Sequence, residues 1–132
     1  MVDIAKFAGT YTELVRWRDS SGRTGELRGT IDIQVEADRV SLSSGDGHTM
    51  IGRLPAQVTD SIELVGSGGD ATSNGRLYVG DQTLVLEYEA DVRGRHESNV
   101  DVWTFVDGAV MRAGLIRQNE VTIWFEAQME KG

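Results

Sequence analysis

The stretch NVDVWTFVDGAVMRAGLIRQNEVTIWFEAQM, residues 99–129, alternates residue by residue as half-buried strands do. Yet the face that carries Trp103, Phe105 and Phe125 also carries Asn99, Asp101 and Arg112. Turn chemistry decides which residues share that face. Asp107-Gly108 is the strongest kind of hairpin dipeptide, so Phe105 pairs with Val110 and Trp103 lies opposite Arg112, with Asp101 diagonal to it. Asn119-Glu120 as the next tip sets Ile116 against Ile123, Gly114 against Phe125 and Arg112 against Ala127. An Arg93-Gly94 tip pairs Tyr88 with Asn99, Leu86 with Asp101 and Leu84 with Trp103. A Gly80-Asp81 tip brings in Leu77 and Val79. An Ala37-Asp38 tip puts Ile31, Ile33, Val35, Val40 and Leu42 on one side, with Asp32, Gln34 and Glu36 on the other. All of these hairpins agree on one inner face.

The same alternation extends outward from this stretch. Sixteen glycines, one proline and short β-branched and aromatic runs between turn dipeptides predict a meander of about ten strands. Their expected windows are 9–18, 26–36, 39–44, 48–54, 57–65, 76–79, 82–91, 95–106, 109–117 and 121–129. Residues 2–8 can form a short helical turn that closes one end, and the glycine-rich segment 66–75 reads as a mobile loop. A sheet of this many sequential antiparallel strands closes or splits into a sandwich. Hairpin connectivity without a long crossover favours closure. The expected fold is therefore all-β: one antiparallel up-and-down β-barrel of about 8–10 strands, a single domain over residues 1–132, with room for one ligand.

Composition narrows the partners. Thirteen Lys and Arg against 21 Asp and Glu give a net charge of −8, a field that repels phosphate backbones and anionic membranes, so no nucleic acid and no membrane are expected as partners. No segment approaches the ~20 apolar residues of a spanning helix. The absence of cysteine excludes disulfides and thiolate metal sites, and the start MVDIAKFAGTY lacks the basic and apolar regions of a signal peptide. The expected location is the cytoplasm.

The run FAGTY, residues 7–11, opening the first strand, resembles the Gly-x-aromatic start of the calycin barrels, which include lipocalins, fatty-acid-binding proteins and nitrobindin-like proteins. Arg117, late in the chain on the penultimate strand, is similar to the basic residue that often packs near that aromatic. The resemblance implies a lumen that takes a small molecule. In architecture alone the chain is also similar to cofactor-free barrel cyclases of the allene oxide and spirotetronate type.

Buried charge points to the candidate site. Burying Asp101 or Arg112 alone would cost several kcal/mol, so they pair with each other or with a ligand. If the pair serves a ligand, Arg112 anchors a carboxylate, enolate or carbonyl oxygen, and Asn99 and Tyr88 continue the polar line. Leu86, Trp103, Phe105 and Phe125 enclose an apolar body. The alternative is an internal salt bridge that only satisfies itself. The expected partner is a hydrophobic or amphiphilic small molecule. The rival readings are a cofactor-free cyclase or isomerase using Arg112, Tyr88 and Asp101, and a structural dimerisation module. Glu13 joins the cavity if Tyr11, Glu13, Val15 and Trp17 face inward, which the turn DSSGRTG leaves open.

No cofactor and no metal are expected. His48 and His96 are distant in sequence, and His96 sits opposite Asp91 as a rim residue. GSGGDA, residues 66–71, matches a nucleotide-loop pattern only formally, because no helix follows it. On the outer face Trp124, Leu115, Val100, Val102, Met111 and Ala113 form an apolar strip of the kind that marks association, so a homodimer is expected.

Overall fold

Two-residue turns set the strand boundaries from residue 61 onward in the computed structural model, which describes residues 4–55 and 61–132. After a single 3-10 turn, Ile4–Phe7, the described residues form ten strands. These are β1 (Gly9–Asp19), β2 (Thr24–Val35), β3 (Arg39–Ser44), β4 (Thr49–Arg53), β5 (Ser61–Gly68), β6 (Ala71–Val79), β7 (Thr83–Val92), β8 (Arg95–Val106), β9 (Ala109–Gln118) and β10 (Val121–Lys131). Each strand pairs antiparallel with its neighbours in sequence, and β1 pairs with β10 from Tyr11↔Lys131 to Asp19↔Ile123. The sheet is thereby a closed barrel without a free edge.

The registers around Asp107-Gly108, Asn119-Glu120, Arg93-Gly94 and Ala37-Asp38 are those that turn chemistry predicts: Trp103↔Arg112, Arg112↔Ala127, Tyr88↔Asn99 and Ile33↔Leu42. At Asp107-Gly108 both residues have positive φ, 51° and 77°, the backbone that turns a hairpin with the twist of its strands. The β6–β7 tip lies one residue later than expected. The Gly80 N–H donates to the Thr83 carbonyl, so Asp81 and Gln82 form the tip and Leu77 faces Leu86. Each partner moves by two residues, so the inner face is unchanged.

Segment 66–75 is not a mobile loop. It contains the end of β5, the two-residue tip Gly69-Asp70 with φ of 62° and 63°, and the start of β6, which begins at Ala71 rather than 76. Gly66 is paired with Ser73, and a Cβ there would fall 2.3 Å from the Ser73 Oγ and 2.8 Å from His48 Nε2. The glycine is a packing requirement rather than a sign of looseness. Of the expected strand 57–65, residues 57–60 lie outside the described residues, as do residues 2 and 3 of the expected N-terminal turn.

The barrel has one filled end and one open end. The 3-10 turn plugs the filled end with Ile4 and Phe7, and the Tyr11 hydroxyl donates to the Phe7 carbonyl at 2.7 Å. The Phe7 and Phe105 rings lie 4.6 Å apart, and Tyr11 meets Trp103 edge-on at 5.5 Å. Such pairs add ~0.5–1.5 kcal/mol each beyond the area they bury. The basic partner that the resemblance suggests for the first-strand aromatic is not Arg117, which is exposed. It is Lys131, directly opposite Tyr11, with Nζ 5.9 Å from the ring centre.

Candidate functional site

Above the aromatic plug the lumen widens into a cavity of about 950 Å³ that opens at the far end. Trp103, only 2% exposed, forms its floor, and Leu42, Met50, Leu86 and Phe125 stand in its walls. A pocket of this size suits a drug-sized molecule.

The polar group at the heart of the cavity is a triad. From β9, Arg112 reaches over the small Ala127 of β10 to Glu13 on β1, with Nη2 and Nε donating to the two carboxylate oxygens at 2.8 and 3.0 Å. On its other side Nη1 donates to both oxygens of Asp101 on β8, at 2.8 and 3.0 Å. All three side chains are largely buried, and the guanidinium lies over the Phe125 ring at 4.7 Å. Gly114 makes room for that ring, since a Cβ there would stand 2.6 Å from its tip.

Electrostatics follow from burial. Burial pushes the Asp101 carboxyl up, and the attraction of Arg112 does not fully offset it. Burial opposes the charge on Arg112 as well, but Asp101 and Glu13 more than compensate, so the guanidinium is firmly cationic. Tyr88 lines the same cavity. Its phenol is raised well above its ordinary value, first by burial and then by the Asp101 charge, so it offers a proton or a hydrogen bond rather than a phenolate. Asn99, two residues from Asp101 on the same face, is 5% exposed, and among the described residues its Nδ2 has no hydrogen-bond partner.

The structure thus brings Asn99, Asp101, Arg112, Tyr88, Leu86, Trp103 and Phe125 to one cavity. Phe105 lies instead at the filled end, stacked 6.3 Å from Trp103, and does not line it. Glu13 is the partner that the hairpin arithmetic left undecided. Its facing follows once β1 closes on β10, because Tyr11 and Glu13 share parity and Tyr11 is fully buried.

Two features mark the rim. Asp19, 4% exposed, folds the β1–β2 turn with its own carboxylate, accepting from the Ser21 hydroxyl at 2.7 Å and from the Ser21 and Arg23 N–H groups at 3.0 Å. His48 has Nδ1 3.0 Å from the Gly68 carbonyl, which makes Nδ1 the protonated nitrogen, and Nε2 accepts from Ser73 Oγ at 2.7 Å. His96 is exposed between Asp91 and Glu89, and the hydrogen bond that its Nδ1 donates to Asp91 raises its pKa. No group of three or more metal-ligating side chains occurs among the described residues. No helix among them is long and apolar enough to cross a membrane.

No protein family and no curated protein matches this chain. Among solved structures it is similar to an S-type phycobiliprotein lyase from Guillardia theta, with a TM-score of 0.62 over 95% of this chain and 88% of that one. Identity is 16%, so the likeness is one of fold: a closed antiparallel β-barrel.

Proposed function

We propose that this protein binds a hydrophobic or amphiphilic small molecule in the barrel lumen. The apolar body rests on Trp103 between Leu86 and Phe125, and the polar end meets the Glu13–Arg112–Asp101 triad, Asn99 and Tyr88. The observation that carries this reading is a cavity of about 950 Å³ lined by Asn99, whose buried Nδ2 has no acceptor among the described residues. A buried donor left unmade costs ~1–3 kcal/mol, a cost that a ligand would remove. The fold shared with a phycobiliprotein lyase agrees with a barrel that handles a small molecule. In this reading the protein works as a cytoplasmic homodimer.

The test is titration with Nile red, a neutral apolar dye. One site per chain is expected. Leu86→Trp, which fills the lumen while keeping its wall apolar, should abolish binding, and Trp103→Ala should weaken it. Trp124→Ala, on the outer face, should leave it unchanged. Equal effects of the inner and outer substitutions would refute a lumen site.

A second reading, a cofactor-free isomerase or cyclase, draws on one feature. Asp101 has a raised carboxyl and Tyr88 a retained phenolic proton, a pairing suited to moving protons on a bound substrate.

A further inference from the structure

Resting on the reading of the lumen as a binding site, we propose that its ligand is an organic cation. It has an apolar or aromatic body ending in an ammonium or amidinium group, with a hydrogen-bond acceptor beside that group. The deep polar end holds two carboxylates, Glu13 and Asp101, and one guanidinium. Ionised, they sum to one negative charge. At the mouth Asp19 is matched by Arg23 at 3.2 Å, and Asp46 and Arg28 line the same cavity with opposite charges, so the ionised lining as a whole also sums to one negative charge.

An anionic ligand meets a guanidinium already flanked on both sides by carboxylates. Each of the three Arg112 nitrogens already donates to a carboxylate, at 2.8–3.0 Å. An incoming carboxylate would lie against Glu13 or Asp101 whether it took an uncommitted N–H of Arg112 or displaced one of them, a like-charge contact in a poorly solvated site. The carboxylates are differently placed. A carboxylate has about four acceptor positions, and Arg112 uses only part of that capacity, so both can still accept from an N–H donor. Asn99 supplies the complementary half, an N–H donor on the same face of β8 as Asp101, buried and without an acceptor among the described residues. Donor-rich charge beside an acceptor is the ligand pattern that completes both. Trp17, Trp103 and Phe125 add aromatic surface to the cavity, and aromatic faces attract cations. The overall charge of −8 steers cations toward the protein.

The experiment displaces bound Nile red with three twelve-carbon chains that differ only in the head group: dodecylamine, dodecanol and dodecanoate. Dodecylamine should displace the dye at a concentration at least about tenfold below that needed for dodecanoate, the factor expected of one charge-assisted hydrogen bond in place of a repulsion. Asp101→Asn and, independently, Glu13→Gln should each remove most of that preference. Glu126→Gln, which deletes the same charge on the outer face, should not, and this separates lumen recognition from adsorption to an acidic surface. Placing a hydroxyl beside the amine, as in 1-amino-2-dodecanol, should tighten displacement in the wild type but not in Asn99→Leu. Equal or tighter displacement by dodecanoate would overturn the cation assignment while leaving lumen binding intact. Failure of Nile red to bind at all would overturn both.

Discussion

The barrel has two walls of opposite pattern. Along β3–β6 the inner face is apolar, with Val40, Leu42, Ile62, Leu64 and Leu77 buried, and the outer face carries charged residues such as Arg39, paired with Glu36, and Arg76, paired with Glu63. Ile51 and Val65 interrupt that outer face as an exposed cross-strand pair. Along β8–β10 the pattern is inverted: Asn99, Asp101 and Arg112 point inward, while Val100, Met111, Leu115 and Trp124 are 37–48% exposed outside. A one-residue slip would exchange the faces of the second wall, bringing Val100, Met111, Leu115 and Trp124 inside at the expense of Trp103, Phe105 and Phe125. The hairpin tips forbid it, because Asp107-Gly108 and Asn119-Glu120 fix parity whatever the side chains prefer. Where both faces of a strand carry large apolar residues, the turns determine the facing. The polar interior they impose is then stabilised by mutual pairing, which is the arrangement a binding site needs.

Removing the cation from the inverted wall should break the contrast most severely. Arg112→Met leaves Glu13 and Asp101 buried without their partner, and loss of one member of such a group costs about 3–5 kcal/mol in denaturant unfolding. Leu64→Ala on the ordinary wall should cost a comparable ~2–5 kcal/mol, but through a cavity rather than a charge. The two mechanisms separate in combination. Adding Asp101→Leu to Arg112→Met should recover only part of the loss, because Glu13 remains. Adding Glu13→Leu as well should recover most of it. Full recovery by the double variant would mean that Glu13 is not part of the buried group.

That dependence on Glu13 marks where the sequence stops being readable. The second wall was legible because each of its hairpins turns on a recognisable dipeptide, so Trp103 could be placed opposite Arg112, and Asp101 diagonal to it, by counting alone. The facing of β1 was not. Its turn is built by the Asp19 side chain rather than by a dipeptide, its inward facing follows from pairing of the first strand with the last, and Glu13 meets Arg112 of β9 at a sequence separation of 99 residues. Segment 66–75 misled for a different reason. Its glycines read as flexibility when counted, but Gly66 is there to admit the His48–Ser73 hydrogen bond. Phe105 was assigned to the inner face correctly, but alternation does not say how far along the barrel axis a residue sits, and it belongs to the plug.

A smaller effect should appear in the pH dependence of stability. A carboxyl raised on folding holds its proton more tightly in the native state than in the unfolded chain. Asp101 therefore contributes stability that is complete below about pH 4, the ordinary Asp value, and is lost as pH rises through its own raised value. The Ser21 hydroxyl holds Asp19 below the ordinary range, so its contribution has the opposite sign and is lost only as pH falls below about 4. Asp101→Asn should accordingly flatten the decline in melting temperature above pH 4 and leave the acid limb in place. An unchanged upper limb would show that Arg112 fully compensates the burial of Asp101.

The outer strip of the inverted wall gives the smallest change in the stability of one barrel and the clearest change in its association. Val100, Leu115 and Trp124 form one cross-strand row over β8, β9 and β10, and the row continues to Glu87 on β7 at one end and to Arg18 on β1 at the other. A row that reads acid, three apolar residues, base is complementary to its own reverse. A two-fold axis through Leu115 would lay apolar on apolar and set Glu87 of each copy against Arg18 of the other, the self-complementarity that an isologous dimer requires. We expect the wild type to sediment as a dimer at micromolar concentration and Leu115→Arg as a monomer. Because Leu115 is a surface residue on each barrel, the variant's unfolding free energy, measured at a concentration where both proteins are monomeric, should stay within about 0.5 kcal/mol of the wild type. Glu87→Arg should weaken association by setting like charges against each other, and adding Arg18→Glu should restore it. A wild-type monomer, or a charge swap that fails to restore the dimer, would mean that this row does not meet a second copy in the proposed antiparallel sense.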